Sequence, residues 1–251
     1  HDLAEDCDLI IDGLDNYPTR YLLNDYSVAE GIPYIYGGAV ATGGMSMSIL
    51  PRGDKRRRIQ WDDDLSTPCL RCLFPSPPAA GGADTCDTVG VLATVTATIA
   101  AHMVTQAIKL CSANARSVDR SLTSIDVWEN DYRRMDVSNA CDESCPCCAM
   151  RTYEYLNFEP NQGATVLCGR NSVQIRPSMS PAFNFDRVCD RLVEHGDFKA
   201  TGNTLKGVLH EERSPSLEPV EFIVFPDGRA IITGDTDPVW ARGIYDRFIG
   251  S

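Results

Sequence analysis

Asp8-Leu9-Ile10-Ile11-Asp12-Gly13-Leu14-Asp15-Asn16 is a short apolar run that closes on an Asp-Gly turn, the pattern of a buried parallel strand whose carboxyl end opens into a loop. A helix is predicted directly after it. Asn16 is placed as N-cap and Pro18 suits the first turn; Tyr21, Leu22, Tyr26 and Ala29 recur at helical spacing, and Gly31 with Pro33 ends the run. Pro33-Tyr34-Ile35-Tyr36 reads as the next strand, broken by Gly37-Gly38. Met45-Ser46-Met47-Ser48-Ile49 alternates as a half-exposed strand does. Strand, loop, helix and strand in this order predict an open α/β sheet.

Further along, the basic run Lys55 to Arg58 and the acidic run Asp62 to Asp64 read as a solvated hairpin tip with local charge pairing. Pro75 to Gly82, rich in Pro, Ala and Gly, reads as a connection without regular structure. The long apolar stretch Val89 to Cys111 is interrupted by His102, Gln106 and Lys109 and carries several threonines, so a buried helix is expected and not a membrane span. Leu122 to Trp128 reads as another strand. Beyond Phe158-Glu159-Pro160 the pattern restarts: a strand over 165–175, a helix over 186–194, a strand over 204–210, a hairpin turning at Pro226-Asp227-Gly228, and a last helix from Pro238. Two domains are therefore expected, 1–157 and a small α+β domain over 158–251 with β-α-β-β-α order.

Composition narrows the function. A net charge of −12 over 251 residues repels a phosphate backbone, which argues against a nucleic-acid partner. The first residues, His-Asp-Leu-Ala-Glu-Asp, have neither the cationic region nor the apolar run of a signal peptide. Among 11 cysteines, the close pairs favour metal over disulfides and point to a reducing cytoplasm. Cys69-Leu70-Arg71-Cys72 and Cys145-Pro146-Cys147-Cys148 each present two thiolates from one tight turn, together a closed tetrahedral set for one structural zinc ion. Cys147 is left as an extra thiol, with a set based on Cys141 as the alternative. Asp15, just past a strand's carboxyl end, suits Mg²⁺ on nucleotide phosphates or helix capping alongside Asn16. Cys86, between the connection and the long helix, reads either as a reactive thiol or as a packing residue.

In series, Asp12-Gly13-Leu14-Asp15-Asn16 with Thr19-Arg20, Tyr36-Gly37-Gly38-Ala39-Val40, Pro68-Cys69-Leu70-Arg71-Cys72-Leu73-Phe74-Pro75, Thr85-Cys86-Asp87-Thr88-Val89-Gly90-Val91-Leu92 and Cys145-Pro146-Cys147-Cys148 resemble the ThiF/MoeB/HesA family of ATP-dependent activating enzymes. The resemblance implies part of a Rossmann-like sheet with a four-cysteine zinc site. It implies adenylation of the C-terminal glycine of a ubiquitin-like sulfur-carrier protein, for sulfur transfer in thiamine or molybdenum cofactor biosynthesis. Asp15 then becomes the aspartate of Mg²⁺-ATP, Cys69, Cys72, Cys145 and Cys148 the zinc ligands, and Cys86 the crossover-loop cysteine used in some members for thioester or persulfide chemistry. Arg20 and Arg71 are candidates for the channel of the carrier's tail or for surface salt bridges. A homodimer is the family expectation. The family's Gly-rich nucleotide loop has no counterpart ahead of Asp8, so the chain is expected to be the C-terminal portion of a longer protein. A zinc-stabilised module that binds a ubiquitin-like protein without chemistry is the alternative, and activation of a peptide carboxylate a third reading.

Overall fold

The computed structural model describes residues 4, 6–53, 59–78, 84, 86–156, 164–167, 171–176 and 183–250. They form two compact units, residues 1–76 with 90–157 and residues 77–89 with 158–251.

The first unit opens with β1 (Ile10–Ile11), α1 (Tyr17–Glu30), β2 (Tyr34–Val40) and β3 (Gly43–Ile49). The chain then passes through the short α2 (Leu70–Leu73) and through α3 (Cys86–Val89), which belongs with the second unit. It continues with α4 (Ala93–Cys111), β4 (Leu122–Asp126) and β5 (Asp131–Met135). The sheet order is β1-β2-β3-β4-β5, with β1 and β2 parallel and every other pair antiparallel. The result is a mixed five-stranded sheet, of which the parallel part is one strand pair among the described residues.

Local chemistry sets α1. The Asn16 side chain accepts the N–H of Thr19 at 3.0 Å, Pro18 sits in the first turn, and Gly31 closes the helix in the left-handed region at φ 64°. Alternation along β2 then splits the core. Tyr34 and Tyr36 pack with Tyr21 and Tyr26 of α1, while Ile35 packs with Val95, Ile99 and Met103 of α4. Gly37 and Gly38 do not break the strand; they are internal to β2. A Cβ at Gly37 would overlap the Met103 sulfur, so the glycine admits α4 against the sheet and does not end the strand.

The expected hairpin tip lies outside the described residues on its basic side. Its acidic side pairs elsewhere: Asp62 and Asp64 both meet Arg116. No helix among the described residues is long and apolar enough to cross a membrane.

The second unit contains β6 (Ala164–Leu167), β7 (Ser172–Ile175), α5 (Phe185–His195), β8 (Gly196–Thr201), β9 (Thr204–Arg213), β10 (Pro219–Val224), β11 (Ala230–Thr233) and α6 (Pro238–Phe248). Its six strands form one antiparallel sheet, ordered β6-β7-β11-β10-β9-β8. The hairpin at Pro226–Gly228 turns where expected, with Gly228 at φ 83°. Two expectations are corrected. The strand over 165–175 is two paired strands, and β8 follows α5 with no loop, because Gly196 takes an extended conformation as the helix ends. Val173, Val188, Leu192, Phe222, Ile232 and Tyr245 are fully buried in the core that this sheet forms with α5 and α6.

Candidate functional site

Four sulfurs from two distant turns meet in the first unit. Cys69 Sγ lies 3.6 Å from Cys145 Sγ and 3.9 Å from Cys72 Sγ, and Cys72 Sγ lies 3.3 Å from Cys148 Sγ. All four donor atoms fall within 4.8 Å of one another. A tetrahedral zinc with Zn–S bonds of about 2.3 Å needs sulfur–sulfur edges of about 3.8 Å, so the donor set fits that ion. Cys141 is exposed and outside the group. Hydrogen bonding from the Cys147, Cys148 and Cys72 thiols pushes the Cys69 thiol down, and donating to Cys69 pushes those of Cys147 and Cys148 up.

Helix α1 holds both turns from beneath. The fully buried Asn24 accepts the N–H of Leu70, the first residue of α2, at 2.8 Å, and its amide nitrogen reaches Cys147 Sγ at 3.3 Å. Asp25 accepts the N–H of Tyr155 at 3.0 Å and lies 3.8 Å from Arg71. Arg71 in turn meets Glu154 at 2.6 Å and stacks over Tyr155. Burial drives the Asp25 carboxyl above the usual range, against the pull of Cys147, Tyr155 and Arg71. Asn24, Asp25 and Glu154 carry no metal-ligand spacing, and nothing local in the sequence marks them.

A second cluster shapes the loop between β1 and α1. Asp12 is buried and accepts from Tyr34 Oη at 2.6 Å and from Arg20 Nε at 3.3 Å. Arg20 Nη2 also donates to the carbonyls of Leu14 at 2.5 Å and Gly37 at 3.3 Å. The guanidinium therefore ties the loop to the strand beside it. Asp15 sits on that loop with its carboxylate exposed, where Oδ1 accepts from Asn16 Nδ2 at 3.1 Å. Asn16, not Asp15, supplies the helix cap. Neither Arg20 nor Arg71 is a surface salt bridge, since their side chains are 9% and 5% exposed. Cys86 is half-buried at the start of α3 and falls in the second unit, whereas Asp15 falls in the first.

The chain is similar to known proteins. The chain is 32% identical over 249 residues to the sulfur carrier protein ThiS adenylyltransferase of Bacillus subtilis, a match covering 99% of this chain and 67% of that protein. It is 32% identical over 148 residues to the SAMP-activating enzyme E1 of Haloferax volcanii, covering 59% of this chain and 49% of that protein. The chain thus spans about half to two thirds of the length of these relatives. A crystal structure of E. coli MccB with ATP aligns at a TM-score of 0.40 and 16% identity, over 56% of this chain and 40% of that chain. The ThiF family model matches residues 1–147, and with the Bacillus relative this shows that the chain belongs to the ThiF family.

Proposed function

We propose that this chain serves ATP-dependent adenylation of the C-terminal glycine of a ubiquitin-like sulfur-carrier protein, as a homodimer, for sulfur transfer in thiamine or molybdenum cofactor biosynthesis. The observation that carries this reading is the likeness to a ThiS adenylyltransferase along 99% of the chain, the second unit included. In the reaction a carrier carboxylate oxygen bonds to the α-phosphorus of ATP while the bond to pyrophosphate breaks. Asp15 is the residue that would hold Mg²⁺ beside those phosphates, because a hard cation prefers an exposed carboxylate. Arg20, buried and tied to Asp12, is assigned to holding the Asp15 loop; Arg71 is assigned to fixing the two cysteine turns. Cys69, Cys72, Cys145 and Cys148 would hold zinc as a closed structural site, with no position left for a reacting water. Cys86 is the thiol for any thioester or persulfide step.

Carrier-dependent exchange of pyrophosphate into ATP, measured on the protein that carries this chain, tests the reading. Exchange is expected, with a loss of at least about a hundredfold in Asp15→Asn, given the size of charge-stabilising effects on transferring phosphoryl groups. No exchange with any ubiquitin-like carrier overturns it. Calorimetric binding of the carrier with none of ATP would replace it by a non-catalytic binding module.

A further inference from the structure

The polar residues that interrupt the apolar run of α4 remain unused by the site above. His102, Gln106 and Lys109, with Thr105, recur at helical spacing and line an open cleft of about 890 Å³ in the first unit. The opposite wall comes from the segment before the first cysteine turn and from residues around β4 and β5, including Ser66, Arg120, Tyr132 and Arg134.

The cleft's charge departs from that of the whole chain. In a molecule of net charge −12, three cations, Lys109, Arg120 and Arg134, face two carboxylates, Asp119 and Asp136. Asp119 is committed: it accepts from Arg134 Nη2 at 2.8 Å and from Ser121 Oγ, and its other oxygen lies 3.7 Å from His102 Nε2. Burial raises the Asp119 carboxyl, and the hydrogen bonds from Arg134 and Ser121 more than reverse this, to about 2, so it stays ionised. Among the described residues Lys109 Nζ hydrogen-bonds to the Gln106 amide oxygen, at 3.0 Å, and Arg120 Nη1 to the carbonyl of Asp64, at 3.1 Å, while the Arg120 charge also draws the Asp136 carboxyl down. Neither has a carboxylate within ion-pair distance among the described residues. Lys109 with no carboxylate partner, and Arg120 with only the more distant charge of Asp136, leave this wall of the cleft able to take an oxyanion. Tyr132, 57% exposed, lies on the same sheet face as Arg134, and the cleft has the size of a small-molecule site.

We propose that this cleft binds a small phosphate-bearing molecule, with Lys109 and Arg120 contacting the phosphate. The site is separate from the Asp15 loop and does not depend on the adenylation reading.

Calorimetric titration with inorganic phosphate and, separately, with AMP tests it on wild type, Lys109→Gln, Arg120→Gln and Asp15→Asn. Saturable phosphate binding to wild type is expected, weakened about tenfold or more in each of the two cation variants, since a charge-assisted hydrogen bond contributes about 1.5–3 kcal/mol and 1.4 kcal/mol is tenfold. It should persist in Asp15→Asn. AMP binding more tightly than phosphate, with that excess lost in Tyr132→Ala, assigns a phosphorylated aromatic molecule; equal affinities assign free phosphate. Absence of saturable phosphate binding, binding indifferent to both cation variants, or binding lost in Asp15→Asn overturns the proposal. Thermal melting of the variants in phosphate-free buffer, expected to match wild type, separates loss of the site from loss of the fold.

Discussion

Replacing Asn24 with alanine removes a fully buried side chain that hydrogen-bonds to both cysteine turns. Its Oδ1 is the acceptor for the Leu70 N–H, one of the N–H groups that a helix start leaves without an intrahelical partner. Leu70 is 2% exposed, so water does not replace that acceptor. A buried unsatisfied N–H costs about 1–3 kcal/mol. Loss of the donor to Cys147 Sγ adds a few tenths, since sulfur is a weak acceptor, and the void left by the amide adds roughly 1 kcal/mol. The total is about 2–4 kcal/mol, all of it in the first unit. Urea unfolding followed through the buried Trp61, in a background of Trp128→Phe and Trp240→Phe, reads that unit alone. The expected result is a lower midpoint at unchanged slope, with faster release of metal to a competing chelator. A stability loss below about 0.5 kcal/mol, the range of ordinary surface substitutions, would refute the argument that Asn24 couples the two turns.

Metal analysis of the purified chain should find about one zinc per chain, with none retained in Cys145→Ser; a metal-free and fully folded wild type would rule the site out. Gly37→Ala places a methyl group against the Met103 sulfur and should cost about 1–3 kcal/mol, recovered in part by Met103→Ala in a double-mutant cycle; additive effects would show that the contact does not matter. Burial holds the Asp246 carboxyl up at about 6, with Arg242 only partly opposing it. The folded state thus binds this proton more tightly than the unfolded state, so the contribution is greatest below about pH 4 and is lost as pH rises through about 6, a change of roughly 3 kcal/mol. Asp246→Asn should therefore flatten stability across that window and raise it near neutrality; equal pH slopes in variant and wild type would exclude Asp246 as the source.

Helix α1 was legible down to its caps, because Asn16 with Thr19 and Gly31 with Ser27 act over three or four residues. The cysteine turns were legible for the same reason: an x₂ spacing is a property of one turn, whatever it later meets. Reading Gly37-Gly38 as a break failed because glycine has two uses, chain reversal and close approach, and only the position of Met103 distinguishes them. The second unit's sheet was under-counted where α5 runs straight into β8 without a turn signal.

The sequence by itself determined which residues could ligate a metal, where the first helix begins and ends, and which motifs place the chain in its family. Only the tertiary structure decided that Arg20 and Arg71 are buried anchors, that Asn24 and Asp25 support the cysteine turns, and that His102, Gln106 and Lys109 line a cleft. The physical reason is range. Caps, turns and paired cysteines are settled by neighbours a few residues away. The contacts from Asn24 to Cys147 and from Asp25 to Tyr155 join residues 123 and 130 positions apart, and exist only once the sheet and α1 have brought those segments together.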